Sequence, residues 1–230
     1  MPAAEEGDGR IGSRFRRLED PPLLTGKGRY VDDIRLPDLS HVAFLRSPHA
    51  HALIKSIELS AARALDGVVA VLTLDDLAPV LARRRMVREP AQGGKPNPSL
   101  WPYALSAGEV AFVGEPVALV VARNRYVAED AAALIDVDYE ILPGVTDCRN
   151  AALAGAPIAR RDLNSNVIAT HRVSYGDADA AFRTAAHTYR EELFQHRGSG
   201  QPIEARGIVA QYEPASDGIT LERSSSSVWL

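Results

Sequence analysis

Residues 109–145, "EVAFVGEPVALVVARNRYVAEDAAALIDVDYEILPGV", constrain the fold more than any other part of the sequence. The run from Val117 to Ala122 is apolar on both faces of an extended chain, which is typical of a buried strand. Asn124 follows as a helix N-cap, and "DVDYEI" then alternates like a half-buried strand. Pro143-Gly144 closes the unit. The pattern predicts a strand, a helix and a second strand in succession.

The helix between these strands has two chemically distinct faces. Apolar residues recur at helical spacing on one side, and charged residues occupy the other side. The predicted buried stripe is Val127, Ala131, Leu134 and Ile135, and the predicted exposed face carries Arg125, Glu129 and Asp130.

The N-terminal part reads as an arm followed by short strands. Residues 1–20 mix glycine with charges of both signs and lack an apolar period, so we predict an arm that lies on another part of the molecule. We expect regular structure to begin at about Pro21. The runs "HVAFLRSP", "LIKSIEL" and "VVAVLT" predict three strands, and "SAARALDG" predicts a short helix that ends at Gly67.

Residues 79–106 contain several prolines and a glycine pair without a sustained period, which predicts a long surface loop. An arginine cluster in this loop could contact an acidic partner or a phosphate. The alternative, a solvated charge run, is favoured. The cluster consists of Arg83, Arg84, Arg85 and Arg88.

The second half of the chain predicts a different unit. Residues 150–166 are alanine-rich and then polar, so the boundary is expected there. "NVIATHRVSYG" predicts a strand, and Asp177 caps a predicted short helix. The segments "HTYREELFQHR", "RGIVAQYEP" and "GITLERSSSS" predict an antiparallel series of extended strands. The helix has an apolar stripe of Ala178, Ala181, Phe182 and Ala185.

His49 and His51 lie two residues apart, which places both on one face if a strand includes them. Two imidazoles could begin a metal site, but zinc needs three or four ligands and no third stands nearby. We therefore expect the two histidines to mark the beginning of an ordinary strand and to bind no metal.

Two further motifs near the N-terminus are weak. Gly26 and Gly28 could suggest a phosphate loop, but they have neither a preceding strand nor a following helix and predict a tight turn into a strand. Asp32 and Asp33 are adjacent and would face opposite ways on that strand, which is a poor arrangement for paired acid-base chemistry.

Glu204 lies between Ile203 and Ala205, where partial burial is expected. A buried carboxylate near Arg206 could be a tuned base or a structural salt bridge, and the structural interpretation is favoured. The serine run near the C-terminus has no nearby histidine or lysine that could activate a hydroxyl. The residues alone assign no catalytic group.

The amino-acid composition narrows the range of cellular environments expected for this chain. The net charge of -4 is small for 230 residues, so no general attraction to nucleic acid or to an anionic membrane is expected. The single cysteine, Cys148, excludes an internal disulfide framework and fits a reducing compartment. No apolar run approaches a membrane span, and an acid and two prolines interrupt any export signal after Arg16-Arg17. We expect a cytoplasmic protein.

Several stretches, taken in order, resemble one family. They are "LTGKGRYVDDIRLPDLSHVAFLRSPHAHALIKSIELSAARALDGVVAVLT", "VAFVGEPVALVVARNRYVAEDAAALIDVDYEILP" and "HRGSGQPIEARGIVAQYEP". They are similar to the molybdenum-binding large subunit of the xanthine dehydrogenase, aldehyde oxidase and carbon monoxide dehydrogenase group. The resemblance runs from about Ile11 to Ser227.

The resemblance implies an α/β (α+β) fold with an N-terminal arm at 1–20. A hammerhead-type α/β domain would occupy 21–149, and the incomplete beginning of the first molybdopterin-binding α+β domain would occupy 150–230. It implies hydroxylation of an aldehyde, an N-heterocycle or a similar small molecule by a molybdenum-pterin cofactor. The implied partners are the remaining large-subunit portion, an iron-sulfur subunit and an FAD subunit.

The family's first element beside the metal is a short Ser-Ser-Thr-Gln motif. The matching positions here run from Ser224 to Ser227, so a serine replaces the glutamine, and Ser226 and Ser227 are the cofactor-side candidates. The family's later glycine-rich loop and its glutamate base have no counterpart in these 230 residues. We therefore expect a split or truncated large subunit that binds no cofactor alone, or alternatively a non-catalytic module that binds iron-sulfur or flavin subunits.

Overall fold

A computed structural model describes residues 17–18, 20–86, 101–168, 170, 172–196, 198, 202 and 204–224. The helices are α1 (Asp20–Leu24), α2 (Ser60–Ala64), α3 (Leu74–Leu77), α4 (Arg125–Ala133) and α5 (Ala178–Thr184), and residues Val31–Asp33 form one 3-10 turn. The strands are β1 (His41–Arg46), β2 (Ala52–Glu58), β3 (Val68–Leu72), β4 (Glu109–Val110), β5 (Pro116–Ala122), β6 (Asp136–Ile141), β7 (Gly207–Glu213) and β8 (Gly218–Ser224).

The chain divides into two compact units. The larger unit is Pro37–Thr188, and the smaller unit combines Met1–Leu36 with Tyr189–Leu230. Compactness does not define homologous domain boundaries, so the boundaries at residues 20 and 149 stay predictions.

Two antiparallel three-stranded sheets form the framework of the larger unit. Their strand orders are β1-β5-β3 and β4-β2-β6. Strand β5 is central in its sheet, and Val117, Ala118, Val120 and Ala122 are almost completely buried, which confirms the predicted buried strand. The two strands that flank α4 lie in different sheets, so the predicted strand-helix-strand succession bridges the two sheets.

Helix α4 begins as the sequence predicts. The Asn124 side-chain oxygen accepts a hydrogen bond from the Val127 amide at 2.9 Å. The predicted stripe is correct for Ala131 and Ile135, which are buried, but wrong for Leu134, which is 45% exposed. The helix ends at Ala133, and Leu134 is the C-cap residue that follows it.

Alanines let α4 approach the sheet closely. Ala62, Ala118 and Ala131 are fully buried in one cluster beneath the helix, where a larger side chain would push the layers apart. A second cluster contains Ala52, Val110 and Val117. Half-buried Leu45, Ile57 and Val137 contact both clusters, which joins them into one core.

The sheet face opposite α4 is also apolar. Val120 and its cross-strand neighbours Ala43 and Val71 face the helix, so the residues on either side of them face away. These residues form two cross-strand rows, which we name the open face. One row is Phe44, Leu119 and Leu72, and the other is Val42, Val121 and Ala70.

The predicted surface loop at 79–106 is only partly superficial. Leu105 is 1% exposed and Ser106 is buried beside it, while Val80 near the start of the loop is 80% exposed. Residues 87–100, including Arg88, lie outside the described residues. The C-terminal end of the loop therefore contributes to the core. The proline content of the segment had predicted a surface position instead.

The region after residue 150 follows the prediction less closely. Asp177 caps α5, and its carboxylate accepts the Ala180 amide at 2.8 Å, as predicted. The predicted stripe remains at the surface, with Phe182 67% exposed. The described residues of 166–176 form no strand, nor do 187–196, so both strand predictions are wrong there.

The smaller unit contains one antiparallel hairpin, β7-β8, which confirms the two strands predicted for "RGIVAQYEP" and "GITLERSSSS" as far as Ser224. The register places five apolar side chains and Arg223 on one face, which we name the hairpin face, and places Val209 on the other face. The five apolar residues are all exposed: Ile208, Ala210, Tyr212, Ile219 and Leu221.

None of the helices in the described part of the chain has the length and apolar content of a membrane span.

Candidate functional site

The Glu204 region forms a cavity of about 360 Å³ in the smaller unit. Its walls are the turn at 30–33 and the segment at 204–207. Glu204 is half-buried, and its Oε1 accepts a hydrogen bond from the Val31 amide at 2.7 Å. A charged hydrogen bond of this length fixes the turn against the segment.

Arg206 lines the same cavity and is exposed. No ion pair in the described residues joins it to Glu204, whose resolved partner is the Val31 amide. The structure therefore gives Glu204 a positioning contact. Its role as a buried carboxylate paired with Arg206 stays a prediction.

The adjacent aspartates lie in the 3-10 turn, so the predicted strand at this position is wrong. Asp33 accepts a hydrogen bond from the Tyr30 amide at 3.0 Å and thereby caps the turn. Gly26 adopts a φ of 69° just after α1, which confirms a tight turn. Glycine tolerates this left-handed conformation without the strain that a Cβ would introduce.

Both ring nitrogens of His51 have partners from the protein. His51 is 5% exposed, its Nδ1 lies 2.9 Å from the Pro143 carbonyl oxygen and its Nε2 lies 2.8 Å from Glu109 Oε1. His49 packs its ring edge-on against Tyr139 at 4.9 Å between centroids. In this arrangement neither nitrogen of His51 is free to bind a metal, and no group of three potential ligands occurs among the described residues.

Two arginines of the cluster, Arg84 and Arg85, form ion pairs within the larger unit. Arg84 pairs with Asp75 at 2.7 Å. Arg85 pairs with Asp162 at 2.6 Å and lies over the Tyr103 ring at 4.2 Å. Burial acts to raise the pKa of Asp162, but hydrogen bonds from arginine outweigh it and leave that pKa below its usual value. These contacts favour a structural role for Arg84 and Arg85 over a phosphate site.

Two carboxylates emerge only from the structure. Glu109 contacts His51, and Glu115 accepts a hydrogen bond from the Ala111 amide at 2.6 Å. Burial raises the pKa of Glu115, against the opposing hydrogen bond from Ala111. Local sequence carries no signal for the His51–Glu109 contact, because the two residues are 58 positions apart.

The cofactor-side candidates Ser226 and Ser227 lie outside the described residues. Strand β8 is described as far as Ser224. The role of these serines therefore stays a prediction.

Comparison with known proteins connects this geometry to one group. Residues 25–143 match the family model described as "Aldehyde oxidase and xanthine dehydrogenase, a/b hammerhead domain". The nicotine 6-hydroxylase large subunit of Paenarthrobacter nicotinovorans is 38% identical over 211 residues, which cover 92% of this chain and 25% of that protein.

Two crystal structures also match. Quinoline 2-oxidoreductase from Pseudomonas putida 86 superposes with a TM-score of 0.78 at 40% identity, covering 92% of this chain and 26% of that chain. The Cu,Mo-CO dehydrogenase gives a TM-score of 0.75 at 37% identity, covering 91% and 27%. The chain therefore spans about a quarter of the length of the relatives that it matches.

Proposed function

Because the chain belongs to the aldehyde oxidase and xanthine dehydrogenase family, we propose that it is the N-terminal portion of a molybdenum hydroxylase large subunit. Its activity would be the hydroxylation of an aldehyde, an N-heterocycle or a similar small molecule. It would act only together with the remaining large-subunit portion and with iron-sulfur and FAD subunits. The named relatives include a hydroxylase large subunit and a molybdenum enzyme, which supports this proposal.

The exposed hairpin face is the single observation that supports the proposal that this chain acts only with the remaining large-subunit portion. A two-stranded hairpin is marginally stable by itself and needs further strands or a packed layer over its apolar side. Here the apolar side is open, while Val209, Gln211, Thr220 and Glu222 occupy the other face. We propose that the remaining large-subunit portion covers the hairpin face.

The cavity beside Glu204 does not fit a molybdenum-pterin cofactor. The charged lining of the cavity consists of Asp32, Asp33 and Glu204 against Arg206 alone. A pterin cofactor bears an anionic phosphate, which cations and backbone amides bind and which this excess of carboxylates would repel. In the complete assembly the cofactor would supply the oxygen-transfer chemistry, and the other portion would hold it. This chain would contribute scaffold and assembly surface.

The test is co-expression with a polypeptide that carries the family's glycine-rich cofactor loop and the downstream part of a large subunit. We expect a stable complex that contains molybdenum by mass spectrometry. Leu221→Asp on the hairpin face should prevent complex formation. Thr220→Asp, on the neighbouring residue of the other face, is the matched control and should leave the complex intact.

Failure to form any complex, or a complex without molybdenum, would count against the split-subunit role. Equal effects of the two aspartate substitutions would show that the hairpin face is not the contact. Circular dichroism of each variant separates loss of binding from loss of folding.

A second candidate function is a non-catalytic module that binds the iron-sulfur or flavin subunit. The open face of the larger unit favours it, because its six apolar residues form two ordered rows in which Val42 and Phe44 are exposed and the other four are half-buried. The chain should then capture those subunits without molybdenum and without the rest of the large subunit. Phe44→Glu should abolish capture, whereas Ser56→Glu at an exposed position of β2 should not. Capture that requires the remaining large-subunit portion would reject this candidate.

A further inference from the structure

Arg46 lies at the end of β1, on the side of the strand that carries Val42 and Phe44 of the open face. The contact with Phe44 confirms this placement, because the guanidinium carbon of Arg46 lies 5.4 Å from the centre of the Phe44 ring. Both side chains are exposed. A cation therefore borders the two apolar rows and contacts one of their two exposed members.

One hydrogen bond holds the Arg46 guanidinium in this position. Its Nη1 donates to the Gly114 carbonyl oxygen at 2.9 Å. Gly114 belongs to a turn that is fastened to the end of β1, since the Gly114 amide donates to the Ser47 carbonyl at 2.8 Å. A guanidinium has five N–H donors, and no carboxylate among the described residues forms an ion pair with Arg46. Arg46 therefore retains donors for an acceptor from another polypeptide.

The turn at 112–115 adds exposed apolar side chains beside this arginine. Phe112 and Val113 precede Gly114, and both are exposed. Exposed apolar side chains thus occur in both elements that Arg46 contacts, the strand and the turn. Aromatic residues and arginine are enriched where proteins bind one another, so this composition is typical of an interface.

Any polypeptide that covers Phe44 also removes water from Arg46, because the two side chains are in contact. A guanidinium that loses water without gaining an anionic partner is strongly unfavourable, so the covering surface must supply a carboxylate. A second copy of this chain does not meet that requirement. In a two-fold dimer the open face would meet its own copy, and its two rows contain no carboxylate.

We propose that the open face docks the remaining large-subunit portion, and that Arg46 pairs with one carboxylate of that portion. This inference rests on the proposed function. The choice of occupant follows from chain length: where this chain covers 25% of a relative, the other 75% belongs to the same polypeptide of that relative. The open face and the hairpin face are then two separate contacts with one polypeptide. Under the second candidate function an iron-sulfur or flavin subunit would occupy the open face instead.

Arg46→Leu separates a charge pair from a merely apolar contact. The substitution adds apolar surface, so an apolar contact alone would bind at least as tightly as in the wild-type chain. Loss of one partner of a buried charge pair should instead raise the Kd by about 30-fold or more. The Kd is that of the complex between the full 230-residue chain and the co-expressed downstream polypeptide, measured by sedimentation over a dilution series. Arg183→Leu at an exposed position of α5 is the matched control and should leave the Kd unchanged.

Arg46→Lys identifies the residue that faces position 46. The substitution keeps the positive charge and introduces an amine, which a carbodiimide condenses with a carboxylate in contact with it. We expect mass spectrometry of the digested complex to show position 46 joined to an aspartate or a glutamate of the downstream polypeptide. The wild-type complex is the control, since a guanidinium does not react in this way and should give no crosslink at position 46.

An unchanged or lower Kd in Arg46→Leu overturns the inference, and so does the lack of a crosslink from position 46 in Arg46→Lys. In both cases a stable wild-type complex would leave the proposed function intact. A crosslink to an iron-sulfur or flavin subunit would overturn the assignment of the open face to the remaining large-subunit portion. Lack of any complex with the wild-type chain would contradict the proposed function and this inference together. If circular dichroism shows that Arg46→Leu fails to fold, the crosslink in Arg46→Lys decides.

Discussion

Truncating Leu105 tests whether the end of the 79–106 loop is part of the core. Leu105 is 1% exposed, so Leu105→Ala removes three buried carbons at about 0.8 kcal/mol each and leaves a cavity. We expect the free energy of unfolding to fall by about 3 kcal/mol. With a urea slope of about 2 kcal/mol per molar, the midpoint of the unfolding transition should fall by about 1.5 M.

The matched control is Val80→Ala in the same loop. Val80 is 80% exposed, and substitutions at such surface positions usually change stability by less than about 0.5 kcal/mol. Both variants are unfolded in urea under the same conditions, with circular dichroism and tryptophan fluorescence as independent probes. A Leu105→Ala midpoint within experimental error of Val80→Ala would refute the conclusion that this loop end is packed.

Three further substitutions test local features of the larger unit. Asn124→Ala should lower the free energy of unfolding in urea by about 1 kcal/mol, because the N-cap hydrogen bond to α4 is lost. Asn124→Asp should retain most of that stability, since aspartate also caps helices. An equal loss in both variants would contradict the cap. Gly67→Ala should cost about 1–2 kcal/mol, since the φ of 87° is unfavourable for a residue with a Cβ, and an unchanged melting temperature would reject that strain. Glu115→Gln should stabilise the chain at neutral pH, where the raised pKa makes ionisation of the buried carboxyl unfavourable, and this gain in melting temperature should vanish in acid as the wild-type group protonates. A gain that is independent of pH would contradict the assignment.

Local sequence patterns correctly predicted the elements that are determined by interactions between neighbouring residues. The cap at Asn124 and the buried run of β5 each depend on residues within a few positions of one another, whereas the helix predicted to end at Gly67 already ends at Ala64. The fold class follows from those elements. The pairing of β5 with β1 and β3 depends instead on contacts across tens of residues, which periodicity does not encode.

The errors have equally physical causes. "YVDDI" contains residues of high β-propensity, but the Asp33 side chain accepts a hydrogen bond from the Tyr30 amide and stabilises a 3-10 turn at that position. "NVIATHRVSYG" has strand composition, yet its described residues pair with no strand, and β-propensity without a partner strand is weak. The pair of His51 and Glu109 brings together parts of the chain whose separation hides it from any short window.

The hairpin face also sets a kinetic condition on producing this chain. In the described part of the chain each hairpin strand pairs with a single neighbouring strand, and the hairpin face is an exposed apolar surface, a combination that favours self-association. Capture by a covering polypeptide depends on the concentrations of both chains, whereas self-association rises with the square of this chain's own concentration. Slow synthesis in the presence of excess partner should therefore favour assembly, and rapid synthesis of this chain alone should favour aggregates.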